Sequence, residues 1–321
     1  MKKYVMFALC NLLCCGVPTF AQEWPARAVT WIVPFAAGGP TDQVSRYMAS
    51  KLSLKIGQPV VIENVVGAGG AIGMEKLARS SPDGYTIATS ANTLQGIAPH
   101  LSKLPYDTVK SFTAIGGLAA FSYAIVVPID SPIKTIDALI RKARAEPGKV
   151  TAGSAGVGTG VHLGAVLLGQ NAGVTFNTIH YKGGGPIMND MIGGHLDFTL
   201  EVIGTALPMV NANRIKIIAT TGKQRHVTFP NVPTVSEALS GYEMNGWFAI
   251  FTSAGVPENI ILKLNQTIND IARAADYQDF VAGKGYDTMI TTPAELAQLV
   301  KTEVIKWGEV IRAIPESVNK N

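Results

Sequence analysis

The 321-residue chain is longer than one ordinary domain and long enough to build two hydrophobic cores, since 47% of its residues are apolar. Only 7% of the residues are aromatic and 33 are glycine, which favours a sheet-and-helix protein with many tight loops over an all-β or coiled-coil protein. The formal net charge is +4 and like charges do not cluster, so nothing in the sequence indicates binding to nucleic acid or to a membrane surface.

The first 21 residues have the pattern of a secretory signal peptide. Two lysines follow the first methionine, residues 4–17 form an uncharged and mostly apolar run, and Thr19 and Ala21 supply small residues at positions −3 and −1 of a cleavage site. The run is short for a membrane span, and no run of about 18 apolar residues follows it. We expect residues 1–21 to be cleaved during export; a buried N-terminal helix or a membrane anchor are the alternatives.

The three cysteines, Cys10, Cys14 and Cys15, all lie in this segment. The cleaved chain would therefore have no disulfide, no thiolate metal site and no thiol nucleophile. A lipoprotein cleavage site needs a small residue just before the cysteine, and Leu12-Leu13-Cys14 and Leu13-Cys14-Cys15 fit it poorly.

The first half of the remaining chain alternates strands, loops rich in glycine or small residues, and helices. Apolar runs predict strands over residues 29–33, 59–63 and 85–89. The loops that follow them cover residues 34–40, 64–70 and 90–93, and helices are predicted from about Thr41 and Ala71.

The second half repeats this pattern. Thr135 is the predicted N-cap of a helix that ends at Ala145. Strands are predicted over residues 150–152, 178–181, 196–200 and 215–219, with glycine-rich loops at 153–160 and 182–186 and helices at 161–168 and 187–192. Alternation of this kind predicts an α/β fold with mostly parallel sheets flanked by helices.

Two apolar stretches, residues 124–127 and 247–252, are the predicted chain crossings between two domains. Two crossings make the first domain discontinuous. We expect domain 1 to comprise residues 23–124 and 248–321, and domain 2 to comprise residues 125–247.

Five glycine-rich or small-residue loops each follow a predicted strand, and most precede a helix. Ligands of open α/β sheets bind at the carboxyl ends of strands, where helix N-termini offer unpaired amides and partial positive charge. Several such loops around one crevice would bind an anion without Arg or Lys; the alternative is that the glycines only form tight turns. A β-branched residue at Gly39 or Gly158 should block close approach of a ligand and strain the loop.

The motifs of other function classes are incomplete. The segments 67–69 and 156–158 lack the third glycine of a dinucleotide fingerprint, because Ile72 and Val161 stand there, and no phosphate-binding Gly-Lys-Ser/Thr occurs. Ser154 resembles a hydrolase nucleophile, but Ala152 replaces the first glycine of that motif. The histidines have no paired spacing that would predict a metal site: His100, His162, His180, His195 and His226.

A few side chains remain as candidates for ligand contact. His162 opens a helix after a glycine loop, and either donates a hydrogen bond to a ligand or to loop carbonyls, or caps the loop. Lys182 contacts a carboxylate, or it is simply exposed or braces its own loop. Glu201 is an exposed strand end, or an acceptor for a ligand hydroxyl, a ligand ammonium or water. Phe35 and Trp247 line the cavity or belong to the core.

Taken together, these residues resemble the substrate-binding receptors of tripartite tricarboxylate transporters, the Bug-type periplasmic receptors, over essentially the whole chain after the signal segment. The resemblance rests on an ordered set of motifs: Trp24-Pro25; Pro34-Phe35 with Gly38-Gly39-Pro40-Thr41-Asp42; Glu63-Asn64 with Gly67-Ala68-Gly69-Gly70 and Gly73; Pro82-Asp83-Gly84-Tyr85-Thr86; Leu104-Pro105-Tyr106-Asp107; Gly158-Thr159 with His162; Tyr181-Lys182-Gly183; and Pro230-Asn231-Val232-Pro233-Thr234.

The resemblance implies a two-lobed Venus-flytrap fold of the type II periplasmic class, with a carboxylate held by backbone amides and water and with no catalytic residue, metal or cofactor. The expected ligand-binding residues are Phe35, Ala36, Ala37, Gly38, Gly39, Thr41, Asp42, Ser90, Asn92, Thr93, Ser154, Gly156, Val157, Gly158, Thr159, His162, Lys182, Gly183 and Glu201. The family pattern differs at residues 36–37, 160–161 and 201–202, so the ligand cannot be carried over from a relative.

The sequence therefore predicts a monomeric periplasmic receptor that delivers a small organic carboxylate, a di- or tricarboxylate or an aromatic acid, to the membrane subunits of a tripartite-type transporter. A sensory carboxylate-binding protein without its own transporter shares every one of these features. A secreted hydrolase is the other alternative, although the chain lacks a nucleophile elbow, a metal cluster and a thiol.

Overall fold

The structure, a computed structural model, describes residues 24–181 and 183–314. The predicted signal segment, residues 1–21, and Lys182 lie outside the described residues. In the described part, no helix is long and apolar enough to cross a membrane.

The described residues alternate strands and helices from Val29 onward. The strands are β1 (Val29–Val33), β2 (Val60–Asn64), β3 (Thr86–Ala91), β4 (Phe112–Pro128), β5 (Thr151–Ser154), β6 (Asn177–His180), β7 (Phe198–Val202), β8 (Ile215–Thr220), β9 (Asn245–Ser253) and β10 (Asp287–Thr288). The helices are α1 (Pro40–Ile56), α2 (Ala71–Ala78), α3 (Ala98–Leu101), α4 (Ile136–Ala145), α5 (Gly160–Ala172), α6 (Gly184–Ile192), α7 (Ile203–Asn211), α8 (Val235–Ala238), α9 (Glu258–Ala272), α10 (Ala275–Ala282) and α11 (Pro293–Arg312). A 3₁₀ turn precedes α2 and a π-helical turn precedes α3.

The 17-residue strand β4 joins two groups of strands. Strands follow the order β2-β1-β3-β9-β4-β7-β5-β6, and β8 and β10 also pair with β4. The first part of β4, up to Ser122, pairs with β9, and the second part, from Tyr123, pairs with β7 and β8. Pairing is parallel among β1, β2 and β3 and among β5, β6 and β7, and antiparallel around β4 and β9.

Strand direction determines where the carboxyl ends lie. Strand β9 is antiparallel to both β3 and β4, and its first residue Asn245 is opposite Ser122, so β3 ends on the side of Ser122. Strand β7 is antiparallel to β4 and ends at Val202, opposite Tyr123. Strands β1 and β2 run in the same direction as β3, and β5 and β6 run in the same direction as β7. The carboxyl ends of all six strands therefore point toward the position between Ser122 and Tyr123, which we call the β4 junction.

Most predicted elements lie within one to three residues of the observed ones, because their signals are local. Thr135 Oγ1 accepts a hydrogen bond from Ala138 N at 3.1 Å, which confirms the predicted N-cap of α4. Strand β4 begins 12 residues before the predicted stretch at Ala124. Its early part contains Gly116 and Gly117 and is interrupted by two register shifts, which removes the regular alternation that would predict a strand.

Candidate functional site

The loop after β1 is built around the carboxylate of Asp42. Asp42 Oδ2 accepts from Gly38 N at 2.8 Å and from Arg46 Nε at 2.8 Å, and Oδ1 accepts from Asn64 Nδ2 at 2.8 Å. Burial raises the pKa of Asp42, but the hydrogen bonds from Arg46, Gly38 and Asn64 outweigh it and hold the pKa below its ordinary value. Asn64 also donates to Phe35 O at 3.0 Å, so Asp42 and Asn64 fix the loop from both sides.

The tip of this loop is open. Ala36, Ala37 and Gly38 are exposed, Phe35 is half-buried, and Thr41 lies buried in the first turn of α1. Gly38 has φ +79°, a conformation that favours glycine. Gly39 has φ −71°, which any residue adopts, so the expectation of backbone strain at Gly39 is wrong.

Side-chain hydrogen bonds also fix the backbone of the loop after β5. Ser154 Oγ accepts from Gly156 N at 3.2 Å and donates to Gly156 O at 3.0 Å, and Thr159 Oγ1 donates to Gly156 O at 2.8 Å. Thr159 caps α5 by accepting from His162 N at 3.3 Å. His162 Nδ1 accepts from Gly158 N at 3.1 Å, so the imidazole fixes the far side of the loop. Val157 lies between the hydrogen-bonded residues Gly156 and Gly158 and is exposed at the loop tip.

His162 is fully buried and neutral. Burial and the neighbouring His180 lower its pKa to about 4, from the ordinary 6.5, and the two rings lie 5.0 Å apart and nearly perpendicular. Because Nδ1 accepts from an amide, the ring proton is on Nε2. The sequence left open whether His162 donates to a ligand, donates to loop carbonyls or caps the loop; the observed contact is acceptance from the loop amide of Gly158.

The glycine amides of both loops are therefore already hydrogen-bonded. Gly38 donates to Asp42, Gly39 to Ala36 O, Gly156 to Ser154 and Gly158 to His162. The donors that remain are the first-turn amides of the helices that follow, which have no partner in their own helix. They belong to Thr41 and Asp42 of α1, Gly160 and Val161 of α5, and Gly184 and Gly185 of α6, and neither α1 nor α6 has a side-chain cap.

The end of β3 and the segment that follows it tie the first group of strands to the β4 junction. Ser90 and Asn92 are buried, and Thr93 begins the π-helical turn. Ser90 Oγ accepts from Gln95 Nε2 at 3.2 Å, and Asn92 Nδ2 donates to Asn245 O at 3.3 Å. These polar side chains hold the segment in place from within.

Glu201 lies at the end of β7, beside the start of α6. Its Oε1 accepts from Val202 N at 3.0 Å and from the hydroxyl of Thr205. Its Oε2 would lie 3.7 Å from a Cβ added at Gly184, and Gly183, with φ +119°, is the N-cap of α6. Burial raises the pKa of Glu201 above its ordinary value.

Two residues at the β4 junction were missed by the sequence analysis. Tyr123 is buried, and its hydroxyl would lie 2.5 Å from a Cβ added at Gly160, so α5 begins directly against it. Leu101 of α3 would lie 2.3 Å from a Cβ added at Gly158, so it contacts the loop after β5 from the other group of strands. Tyr123 lies in apolar sequence and resembles a core residue, whereas Leu101 stands between His100 and Ser102 and is 44% exposed. Only the topology brings Tyr123 next to Gly160 and Leu101 next to Gly158.

The carboxyl ends of β1, β3, β5, β6 and β7 thus all point toward the β4 junction. Within residues 24–181 and 183–314, no group of three or more His, Cys, Asp or Glu side chains could hold a metal ion. The arrangement offers several backbone donors, helix N-termini and small residues, which suits a small anion.

The chain is similar to curated proteins and to solved structures over almost its whole length. A relative encoded in the tcbD–tcbE intergenic region of Pseudomonas sp. is 33% identical over 292 residues, 90% of this chain and 87% of the relative. The periplasmic binding protein BugD is 32% identical with a TM-score of 0.71, covering 90% of this chain and 98% of BugD.

Two similar structures were solved with carboxylates. An R. palustris protein with adipate is 28% identical with a TM-score of 0.75, covering 90% of this chain and 98% of that one. MatC from Rhodopseudomonas palustris, with bound malate, is 29% identical with a TM-score of 0.72, covering 89% and 99%. These neighbours confirm the expected two-lobed periplasmic binding protein fold. A sequence model described as tripartite tricarboxylate transporter family receptor matches residues 44–315. The chain therefore belongs to the TctC or Bug family of periplasmic solute-binding receptors.

Proposed function

We propose that this protein captures a small organic carboxylate, a di- or tricarboxylate or an aromatic acid, and delivers it to the membrane subunits of a tripartite-type transporter. The observation that carries the proposal is the set of first-turn amides of α1, α5 and α6, whose helices begin at strand ends that point to the β4 junction. A carboxylate placed there would receive charge-assisted hydrogen bonds from backbone groups of both lobes.

The adipate and malate bound by two solved relatives support a carboxylate ligand. A hydrolytic role receives no support from Ser154, which is fully buried and whose Oγ contacts Gly156 and His180.

We also propose that residues 1–21 are cleaved, so that the exported protein begins near Gln22. The intact mass of the exported protein tests this cleavage. The exported protein is proposed to be a monomer that binds no cofactor and no nucleic acid.

We further propose that residues 23–124 with 248–321, and residues 125–247, move as two domains. The change of strand partners on β4 after Ser122, and the start of β9 at Asn245, support hinges close to these boundaries. Leu101 against Gly158 is a contact between the two proposed domains that opening would break.

Di- and tricarboxylates or aromatic acids should raise the melting temperature of the protein. A ligand that binds only the folded state stabilises it by RT ln(1 + [L]/Kd), about 2.7 kcal/mol at a hundredfold excess over Kd. The measurement is a thermal-shift screen of such acids against their neutral amides and against sugars.

The acid that stabilises most should also reduce the radius of gyration in X-ray scattering, because ligand selects the closed domains. Stabilisation by sugars alone would contradict the proposed ligand class, and an unchanged scattering profile at saturation would contradict domain closure.

The contribution of one helix amide can be removed without removing the helix. Gly184→Pro deletes the first amide of α6, and proline is tolerated at the first position of a helix. Loss of one hydrogen bond to a charged group costs about 1.5–3 kcal/mol, so affinity for the acid should fall about 10- to 150-fold by isothermal titration. Gly184→Ala adds a similar Cβ and keeps the amide, so it is the matched control and should bind nearly as well as the wild type.

The same titration separates backbone recognition from recognition by a side-chain charge. Lys182→Ala should weaken binding by no more than about tenfold, or ~1.4 kcal/mol. If Lys182→Ala abolished binding while a folded Gly184→Pro bound like Gly184→Ala, the lysine would hold the anion and the backbone mechanism would be wrong.

A further inference from the structure

The hydroxyl of Tyr123 lies against the first turn of α5. A Cβ added at Gly160, the first residue of that helix, would lie 2.5 Å from Tyr123 Oη and 3.3 Å from Cζ. Any side chain at residue 160 would therefore have to displace the hydroxyl. Because residue 160 is glycine, the phenol reaches the N-terminal end of a 13-residue helix, where the first amides have no partner in their own helix.

This hydroxyl is an unused donor. It has no hydrogen-bond partner among residues 24–181 and 183–314, although Tyr123 as a whole is only 6% exposed. The hydroxyl of Tyr106 and the Nε2 atom of His162 are buried without a partner, whereas Tyr123 Oη has solvent-accessible area. Burial and the neighbouring Glu201 raise the pKa of Tyr123 above its ordinary value of 10, so the hydroxyl keeps its proton at neutral pH.

The rest of Tyr123 is held in place. Its backbone N donates to Thr221 Oγ1 at 2.8 Å, and its carbonyl oxygen accepts from Thr221 N at 2.9 Å. Its ring packs edge-to-face against Phe121, with 5.7 Å between the ring centroids. Because the backbone and the ring are fixed, little side-chain freedom would be lost when the hydroxyl bonds to a ligand.

The groups around Tyr123 Oη determine what it would bind. The amides of Gly160 and Val161 are donors, and the N-terminal end of a helix carries partial positive charge, so a group placed here must be an acceptor. A carboxylate has two oxygens with about four lone pairs, which is enough for both amides and the hydroxyl at once. A single neutral oxygen has fewer lone pairs and no charge, so it would satisfy these donors less well.

We propose that Tyr123 is a ligand-binding residue, whose hydroxyl donates to the ligand carboxylate at the start of α5. This inference rests on the proposed carboxylate function and adds a neutral side-chain donor to the backbone amides. The donor comes from β4 and not from the glycine-rich loops. Gly160 belongs to the same arrangement, because only a residue without a Cβ leaves the hydroxyl in its place.

The test is isothermal titration of the exported protein with succinate, malate, adipate, citrate and benzoate, and the acid that binds the wild type most tightly is then used with the variants. Tyr123→Phe should lower the affinity about tenfold or more, because one hydrogen bond to a charged group is lost. Its melting temperature without ligand should be equal to that of the wild type or higher, because the deleted hydroxyl has no partner among the described residues.

Tyr242→Phe is the matched control. Tyr242 is 1% exposed, and its hydroxyl donates to Gly164 O, one turn further along α5, at 3.2 Å. Tyr242→Phe should therefore lower the melting temperature and leave the affinity unchanged, the opposite of Tyr123→Phe.

A second substitution tests the contact between Tyr123 and α5. Gly160→Ala adds a Cβ at 2.5 Å from Oη in the wild type, but in Tyr123→Phe the nearest ring atom is Cζ, at 3.3 Å. Gly160→Ala should weaken binding to the wild type and have little further effect in Tyr123→Phe.

The outcomes separate this inference from the proposed function. If none of the five acids bound the wild type, the proposed function would fail and this inference would fail with it. If an acid bound the wild type and Tyr123→Phe equally well, only the role of Tyr123 would be overturned. Equal losses of affinity in Tyr123→Phe and Tyr242→Phe, or equal effects of Gly160→Ala in both backgrounds, would also overturn that role.

Discussion

Strand β4 is the constraint on which the site depends. Its two parts pair with different groups of strands, and the change lies between Ser122 and Tyr123. Strand β7 ends opposite Tyr123, and β3 ends nearby, at the level of Ala119. A parallel sheet places its loops at the carboxyl ends of its strands, so each half alone would have an ordinary loop edge. Because one strand runs through both halves, their two loop edges are both directed toward the β4 junction. In the proposed site, the helices that begin at these edges line one crevice.

Side chains and backbone have different roles at the β4 junction: side chains fix the loops, and backbone amides remain as hydrogen-bond donors. Asp42 and His162 each accept a hydrogen bond from a loop glycine, and Ser154 does the same for Gly156. These bonds fix the loops before a ligand arrives, so less conformational freedom is lost on binding. They also use the glycine amides, so in the proposed site the first-turn amides of the helices are the backbone donors that remain for the ligand. In this proposal the glycines shape the loops and the helices supply the backbone donors.

Much of the fold could be predicted from local sequence patterns, because the signals for strands such as β1 and caps such as Thr135 lie within a few residues. The family resemblance predicted the two-lobed fold. The early part of β4 could not be predicted, because its bulges break the alternation of apolar residues. The roles of Leu101 and Tyr123 depend on neighbours more than 30 residues away, and the acceptance of the Gly158 amide by His162 depends on a loop conformation that composition does not determine.

A crystal structure of the protein with its most stabilising acid tests the central claim most directly, because it shows which atoms contact the carboxylate. We expect carboxylate oxygens at about 3 Å from first-turn amide nitrogens of helices from both lobes, with Thr41 or Asp42 on one side and Gly160 or Val161 on the other. The hydrogen bond between Gly158 N and His162 Nδ1 should remain intact. A carboxylate held by the Lys182 ammonium without helix amides, or bound away from the β4 junction, would contradict the account.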